Sequence, residues 1–394
     1  HTQWANSYRG NPNVKDPMDA EHNEGWPRGR TNHYWFDLNR DWWLAINPES
    51  RGKLNWIHQW YPNVVTDFHE MGTTSTYFFE PMKPNASANP IMPKENYTTL
   101  NDTFAKYFAK NLNEIGSLYF TKEAFDGTYP GYGSSYPDLQ GGLALLFEQA
   151  SSRGHVQSTP TGDITFAFTI RNQYTSSMAT VEAAVDNKDV LYNYQQSFFK
   201  SAISNANASK TKGYVFGDDY DPNRVKAFID KLLIHKIKVY ELNGNLSVGG
   251  KTYTPGKAFV VPTAQPQYRM VQSVFETYNA YSDSVFYDAS AWSLANFYNM
   301  NYGPVTASLR LGEEVTSLDD LVQVDDIEKS NYAYLMAWED YNTPAALYYL
   351  LDHGVNVSSA FKPFSITAGD QPTNFGYGTL LFHLQRQSIS ADSV

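Results

Sequence analysis

The β-branched run Val64-Val65-Thr66 leads directly into Asp67-Phe68-His69-Glu70 and is closed by Gly72. β-Branched residues favour a pleated strand and glycine permits the turn after it. The chain is thereby committed to a strand whose end carries a histidine between two acids. In open α/β sheets ligands bind beyond the carboxyl ends of strands. Histidine is the commonest metal ligand and an acid–base group near neutral pH. Taken alone, the stretch reads equally as a polar turn with a solvated histidine.

Other features narrow the class. The chain has 394 residues, enough for two or three domains with real cores. Its net charge of −11 disfavours nucleic acid and anionic membrane as partners, because phosphate contacts need Lys/Arg patches. No window approaches the ~18 consecutive apolar residues of a transmembrane span. With no cysteine, disulfides, thiolate metal sites and a cysteine nucleophile are excluded. The chain opens at His1 in a loop-like stretch and stops at Val394 after a strand-like run, so both ends read as cuts within a longer protein.

Residues 1–33 show no periodicity and read as irregular. After them, Tyr34-Trp35-Phe36-Asp37 reads as a short strand that delivers Asn39-Arg40 to a strand end. A guanidinium is planar, permanently charged and matches a carboxylate bidentately, so this pair suits a carboxylate-bearing ligand. The same arginine reads also as one stacked on a nearby tryptophan or paired with Asp37 or Asp41. A helix is expected over 48–60 and another over 98–116, where Leu100, Phe104, Phe108 and Leu112 recur at helical spacing. The Gly/Tyr/Pro segment Gly127–Pro137 reads as a mobile lid with tyrosines that reach over a site. Gly141 to Glu148 follows as a buried strand ending on a carboxylate. Partial desolvation there raises a glutamate's pKa and suits it to general-base work, although a glutamate leaving the sheet for solvent fits the pattern too.

Helical spacing runs from Thr165 to about Lys200, and the small polar run Ser204–Lys210 marks a domain boundary. Strands then alternate with helices: strands at 213–216, 237–240, 259–262 and 332–335, helices at 222–235, 265–278 and 343–353. That alternation predicts a mostly parallel, doubly wound sheet. The acidic stretch from Glu313 to Lys329 reads as a surface connection, and Asp218, Asp219 and Asp288 as helix caps.

Taken together, Phe36-Asp37-Leu38-Asn39-Arg40-Asp41-Trp42, Thr66-Asp67-Phe68-His69 and Leu145-Leu146-Phe147-Glu148 resemble the motifs of the carboxypeptidase A-like zinc metallocarboxypeptidases. The resemblance covers roughly residues 1–155. It implies zinc as cofactor with His69 as one ligand, and Asn39 and Arg40 as holders of a peptide's C-terminal carboxylate. It further implies Glu148 as the base that takes a proton from water and returns it to the leaving amine. Tyr129 or Tyr132 would cap the substrate, and Arg9 would polarise the scissile carbonyl. The chain is similar in particular to a large secreted bacterial branch, in which a domain resembling class I glutamine amidotransferases follows the peptidase domain. The expected fold is therefore α/β: a partial, mixed-sheet carboxypeptidase-like domain over 1–205 and a doubly wound, non-catalytic α/β domain over 211–394. The expected setting is secreted or periplasmic.

One departure is plain. The family's remaining zinc ligands come from a His-x-x-Glu motif, and no histidine of this chain has glutamate three residues later. His-Glu-x-x-His is missing as well, since residue 73 is threonine. Catalytic zinc takes three protein ligands, and the recognised motifs supply one. The expectation is a peptidase-like chain, inactive as it stands, with a non-catalytic module for peptide C termini as the alternative. A glycan-active reading would need two carboxyl groups ~5–9.5 Å apart across a sugar cleft, and nothing in the sequence pairs any two of Glu70, Glu80 and Glu148.

Overall fold

The computed structural model describes residues 30–84, 88–153, 156–277, 293–321, 327–368 and 371–394. The chain divides into two compact units. The first comprises residues 1–212, 234–237 and 263–297, and the second 213–233, 238–262 and 298–394. No described helix is long and apolar enough to cross a membrane.

In the first unit, α1 (Pro48–Trp60) leads into β1 (Val64–Met71), followed by β2 (Tyr77–Phe79), α2 (Asn101–Glu114), β3 (Tyr119–Phe120) and β4 (Leu143–Ala150). The four strands form a mixed sheet in the order β1-β4-β2-β3. β1 and β4 run parallel, while β2 is antiparallel to β4. A strand that is apolar on both faces belongs in the middle of a sheet, and every residue of β4 is buried. Phe147 of β4 stacks on Phe68 at 4.6 Å and meets Phe108 of α2 at 4.9 Å. The helical spacing of Leu100, Phe104, Phe108 and Leu112 turns all four into this core. The hairpin of β5 (Val156–Thr159) and β6 (Gly162–Thr165) precedes α3 (Phe166–Asp186) and α4 (Lys188–Ala208). The Thr165 side chain caps α3 by accepting from Phe168 N.

The segment expected to be a mobile lid is interior. Tyr129, Tyr132 and Tyr136 are 4%, 5% and 0% exposed. A buried hydrogen-bond chain anchors the end of the segment: His58 Nε2 to the Tyr136 hydroxyl at 3.0 Å, Tyr136 to His235 Nδ1 at 2.9 Å, and His235 Nε2 to the Trp43 carbonyl at 2.7 Å. A carbonyl only accepts, so His235 carries its proton on Nε2 and Tyr136 donates to Nδ1. The phenol oxygen then accepts from His58 Nε2–H. A Gly/Tyr/Pro composition shows that a segment is irregular but not whether it lies outside.

The second unit carries β7 (Gly213–Gly217), α5 (Pro222–Ile234, its last residue in the first unit), β8 (Tyr240–Leu242), β9 (Leu246–Val248), β10 (Lys251–Tyr253) and β11 (Ala258–Pro262). Between these and the rest of the unit, α6 (Tyr268–Phe275) and α7 (Leu294–Phe297) belong to the first unit. β12 (Asn301–Val305) and β13 (Leu311–Glu314) complete a five-stranded sheet ordered β12-β7-β11-β8-β13. Every neighbouring pair in it is antiparallel, which corrects the expected parallel, doubly wound sheet. The reason lies in the connections. The α5 crossover joins β7 to β8, but β11 lies between them, returned by the β9–β10 hairpin rather than by a helix. Strand–helix alternation reveals the elements and leaves the neighbours open. The acidic stretch is likewise no mere connection at its start, because Glu314 lies in β13 beside Lys238 and Tyr240. Asp218 and Asp221 accept backbone N–H groups at the start of α5, as caps do, and both lie against Arg224. Asp288 lies outside the described residues.

Beyond the five-stranded sheet come β14 (Ala333–Met336), α8 (Thr343–Asp352), β15 (Ser358–Ser359), β16 (Phe364–Ala368), β17 (Gln371–Phe375) and β18 (Leu380–His383). β14, β18 and β15 make a separate antiparallel sheet, so the strand expected at 332–335 does not join the larger one.

Candidate functional site

The parallel register of β1 and β4 sets Val64 beside Leu143 and, five residues on, His69 beside Glu148. Both side chains thus emerge near the carboxyl ends of neighbouring strands and line one cavity of about 220 Å³. Burial pushes the Glu148 carboxyl up to about 7, with His69 and Arg30 opposing and Asp67 adding to the rise. Burial alone would lower His69, but the hydrogen bond and charge of Asp67, with Glu148 behind them, outweigh it and hold the imidazole above its usual value. An ionised carboxylate only accepts, so Nε2–H donates to Asp67 Oδ1 at 2.7 Å. Asp67 is in turn held below its ordinary range: its burial is overcome by His69, Asn39 and Lys53.

Asn39 and Arg40 sit on a 3-10 turn, Leu38–Arg40, capped by Asp37, whose side chain accepts from Asn39 N. The Asn39 amide donates to Asp67 Oδ2 at 3.0 Å and lies 2.9 Å from His69 Nε2, and its oxygen accepts from Gly133 N at 2.8 Å. These bonds make Asn39 a tie between β1 and the tyrosine segment, and it also lines the cavity. The fit is close: a Cβ on Gly133 would stand 2.7 Å from Asp67 Oδ2 and 2.8 Å from Asn39 Oδ1.

Arg40 reaches the cavity. Its guanidinium lies 4.5 Å from the Tyr132 ring centre and donates to the Asn39 carbonyl, a stacked arrangement that fixes the plane of the fork. The aromatic partner is neither nearby tryptophan; Trp42 is covered by Lys53 instead. Of the two candidate tyrosines, Tyr132 lines the cavity, whereas Tyr129 donates its hydroxyl to the Arg40 carbonyl at 2.9 Å and acts as a brace. Arg9 lies outside the described residues.

Sequence reasoning missed two contributors. Arg30 enters the cavity from the irregular segment, its Nε donating to Asp37 Oδ2 at 2.8 Å. Asp126, almost wholly buried, also lines it. Neither residue has a periodic relation to the motifs, so only the folded chain brings them in. Glu70 shares the cavity, but Glu80 is interior, accepting from Leu146 N.

The donors among the described residues do not fit zinc. His69 is the one histidine lining the cavity among the described residues, and its Nε2 is taken up by Asp67. Among the described residues, no group of three or more His, Cys, Asp or Glu side chains is arranged to hold a metal ion.

No protein-family model and no curated protein sequence matches the chain. Among solved structures, it is similar to the crystal structure of a metallo-carboxypeptidase from Burkholderia cenocepacia, with 16% identity and a TM-score of 0.28. The likeness covers 43% of this chain and 41% of that one, so the chain spans less than half the length of that protein. So slight a likeness assigns neither a fold nor an activity.

Proposed function

We propose that this chain is carboxypeptidase-like in its recognition, and that its cavity takes the free C-terminal carboxylate of a peptide. The observation that supports this reading is the meeting of the oriented Arg40 fork with the Glu148–His69 pair in one small cavity. Arg40 would grip the carboxylate, with Arg30 adding positive charge. Asn39, Tyr129 and Gly133 position the fork and the tyrosine segment. Glu148, near 7, is poised to accept a proton from a water close to neutral pH. The family's cofactor would supply an acidified water, but the described donors do not fit it, and the roles given are those of the chain's own side chains. The same misfit favours the second reading, a module that binds C termini without turnover. In either reading the second unit is a non-catalytic companion, and the protein works in a secreted or periplasmic setting.

Calorimetric titration with a short peptide and its C-terminal amide tests the proposal. Amidation and Arg40→Met should each weaken binding by about 10- to 100-fold, the worth of a charge-assisted bidentate pair. Equal affinity for acid and amide would sink the proposal. Chelator-sensitive release of the terminal residue would select the peptidase over the binding module.

A further inference from the structure

On the side of β2, the ladder of β4 stops short. β2 pairs with β4 only at Gln149, Glu148 and Phe147, opposite Tyr77, Phe78 and Phe79. The next amides of β4 on this side, Leu146 and Ala144, have no strand opposite them among the described residues. A buried backbone N–H left unpaired is costly, and here a side-chain carboxyl takes each one. Leu146 N donates to Glu80 Oε1 at 2.9 Å, and Ala144 N donates to Asp138 Oδ1 at 2.8 Å. Two acids stand where a strand would.

Two asparagines join the acids to each other. Asn96 Nδ2 donates to Asp138 Oδ1 at 3.1 Å and to the Gly142 carbonyl at 3.2 Å. Asn101 Nδ2 donates to the Asn96 carbonyl at 3.2 Å, and the same side chain hydrogen-bonds Glu80. The path from Leu146 through Glu80, Asn101, Asn96 and Asp138 to Ala144 therefore closes into a clip. Each of its four side chains is at most 2% exposed. The titratable groups that act on it are Asp67 and the phenols of Tyr97 and Tyr194, and no basic side chain is among those acting on either carboxyl. Burial pushes both carboxyls up. What the clip uses is an acceptor oxygen rather than a charge, and a carboxamide has that oxygen too.

The clip reaches the candidate site through both of its acids. Leu146, held by Glu80, lines the cavity, and Glu148 follows it two residues along β4. Asp138 directly follows the tyrosine segment, whose Tyr132 and Ser134 line the same cavity, with the Arg40 fork stacked on Tyr132. We propose that Glu80 and Asp138 are positioning residues of this cavity: without touching a ligand, they fix β4 against the tyrosine segment and so set Glu148 relative to Tyr132 and Arg40. The inference rests on the reading of the cavity as a carboxylate site and adds to it two residues that lie outside the cavity.

Calorimetry with a short peptide acid and hydrogen exchange, both on the full chain, test this together. Glu80→Leu and Asp138→Leu each delete one acceptor and should weaken peptide binding about tenfold. Glu80→Gln and Asp138→Asn keep the acceptor and should stay within about twofold of the native chain. In the leucine variants the amide that loses its partner, Leu146 or Ala144, should exchange faster. So should Glu148 in β4 and Gly133, whose amide is held by Asn39. Asn101→Ala, which removes only the support behind Glu80, should loosen the same amides and replaces a leucine variant that does not fold. Leucine variants that bind like the native chain, carboxamide variants that bind no better than the leucine ones, or exchange that quickens at Leu146 and Ala144 alone would each overturn the proposal. A native chain that binds no peptide would instead strike the carboxylate reading, and exchange at Glu148 and Gly133 would still decide whether the clip positions the cavity.

Discussion

Replacing Phe147 by alanine should cost about 3–5 kcal/mol of stability, the usual loss for a fully buried phenylalanine. Phe147 is wholly buried on the central strand, stacked on Phe68 and packed edge-on against Phe108. Its removal leaves a hole between the sheet and α2 that neither neighbour can fill, because both are held by their own elements. The urea midpoint of the transition that reports on the first unit should fall accordingly. Trp60→Ala, at a position 70% exposed, should shift it by no more than about 0.5 kcal/mol. A Phe147 variant no weaker than the Trp60 variant would mean that this sheet–helix contact is not the core of the unit. The expected loss has a functional consequence too: Phe147 precedes Glu148, so a relaxed strand would disturb the cavity as well as the core.

Acid should destabilise the fold through His58. Burial lowers its imidazole to about 4, with Lys236 adding to the effect, and its Nδ1 has no hydrogen-bond partner among the described residues. In the unfolded chain the same group titrates near 6.5. Between those values the unfolded state takes up a proton that the folded state refuses. Stability is therefore complete above about pH 6.5 and falls as the pH drops toward 4, by up to about 3 kcal/mol. The first structure to yield should be the buried chain through Tyr136 and His235, and with it the anchor of the tyrosine segment. Comparing urea midpoints at pH 8, 6 and 4.5 for the native chain and His58→Gln isolates the effect, because glutamine cannot titrate. The acid-induced loss should be visibly smaller in the variant. Parallel losses in the two proteins would assign it to carboxylates elsewhere.

What the sequence determined by itself was local. The β-branched run at Val64 and the apolar run ending at Glu148 specified two strands, since period and composition act over a few residues. Helical spacing likewise placed Phe104 and Phe108 on the inner face of α2. Tertiary structure decided the rest, because it depends on which segments become neighbours. The parallel register put His69 beside Glu148, and the fold drew Arg30 in from a segment without periodicity. It also tied Asn39 to β1 and to the tyrosine segment, because Asp67, His69 and Gly133 surround its amide. The tyrosine segment went inside because His58 and His235, remote in sequence, hold Tyr136 there. The second sheet is antiparallel because a hairpin, not a helix, returns the chain to β11. The face of α3 that meets the sheet is its small and polar one, since only that side fits against Gln149 and the end of β1.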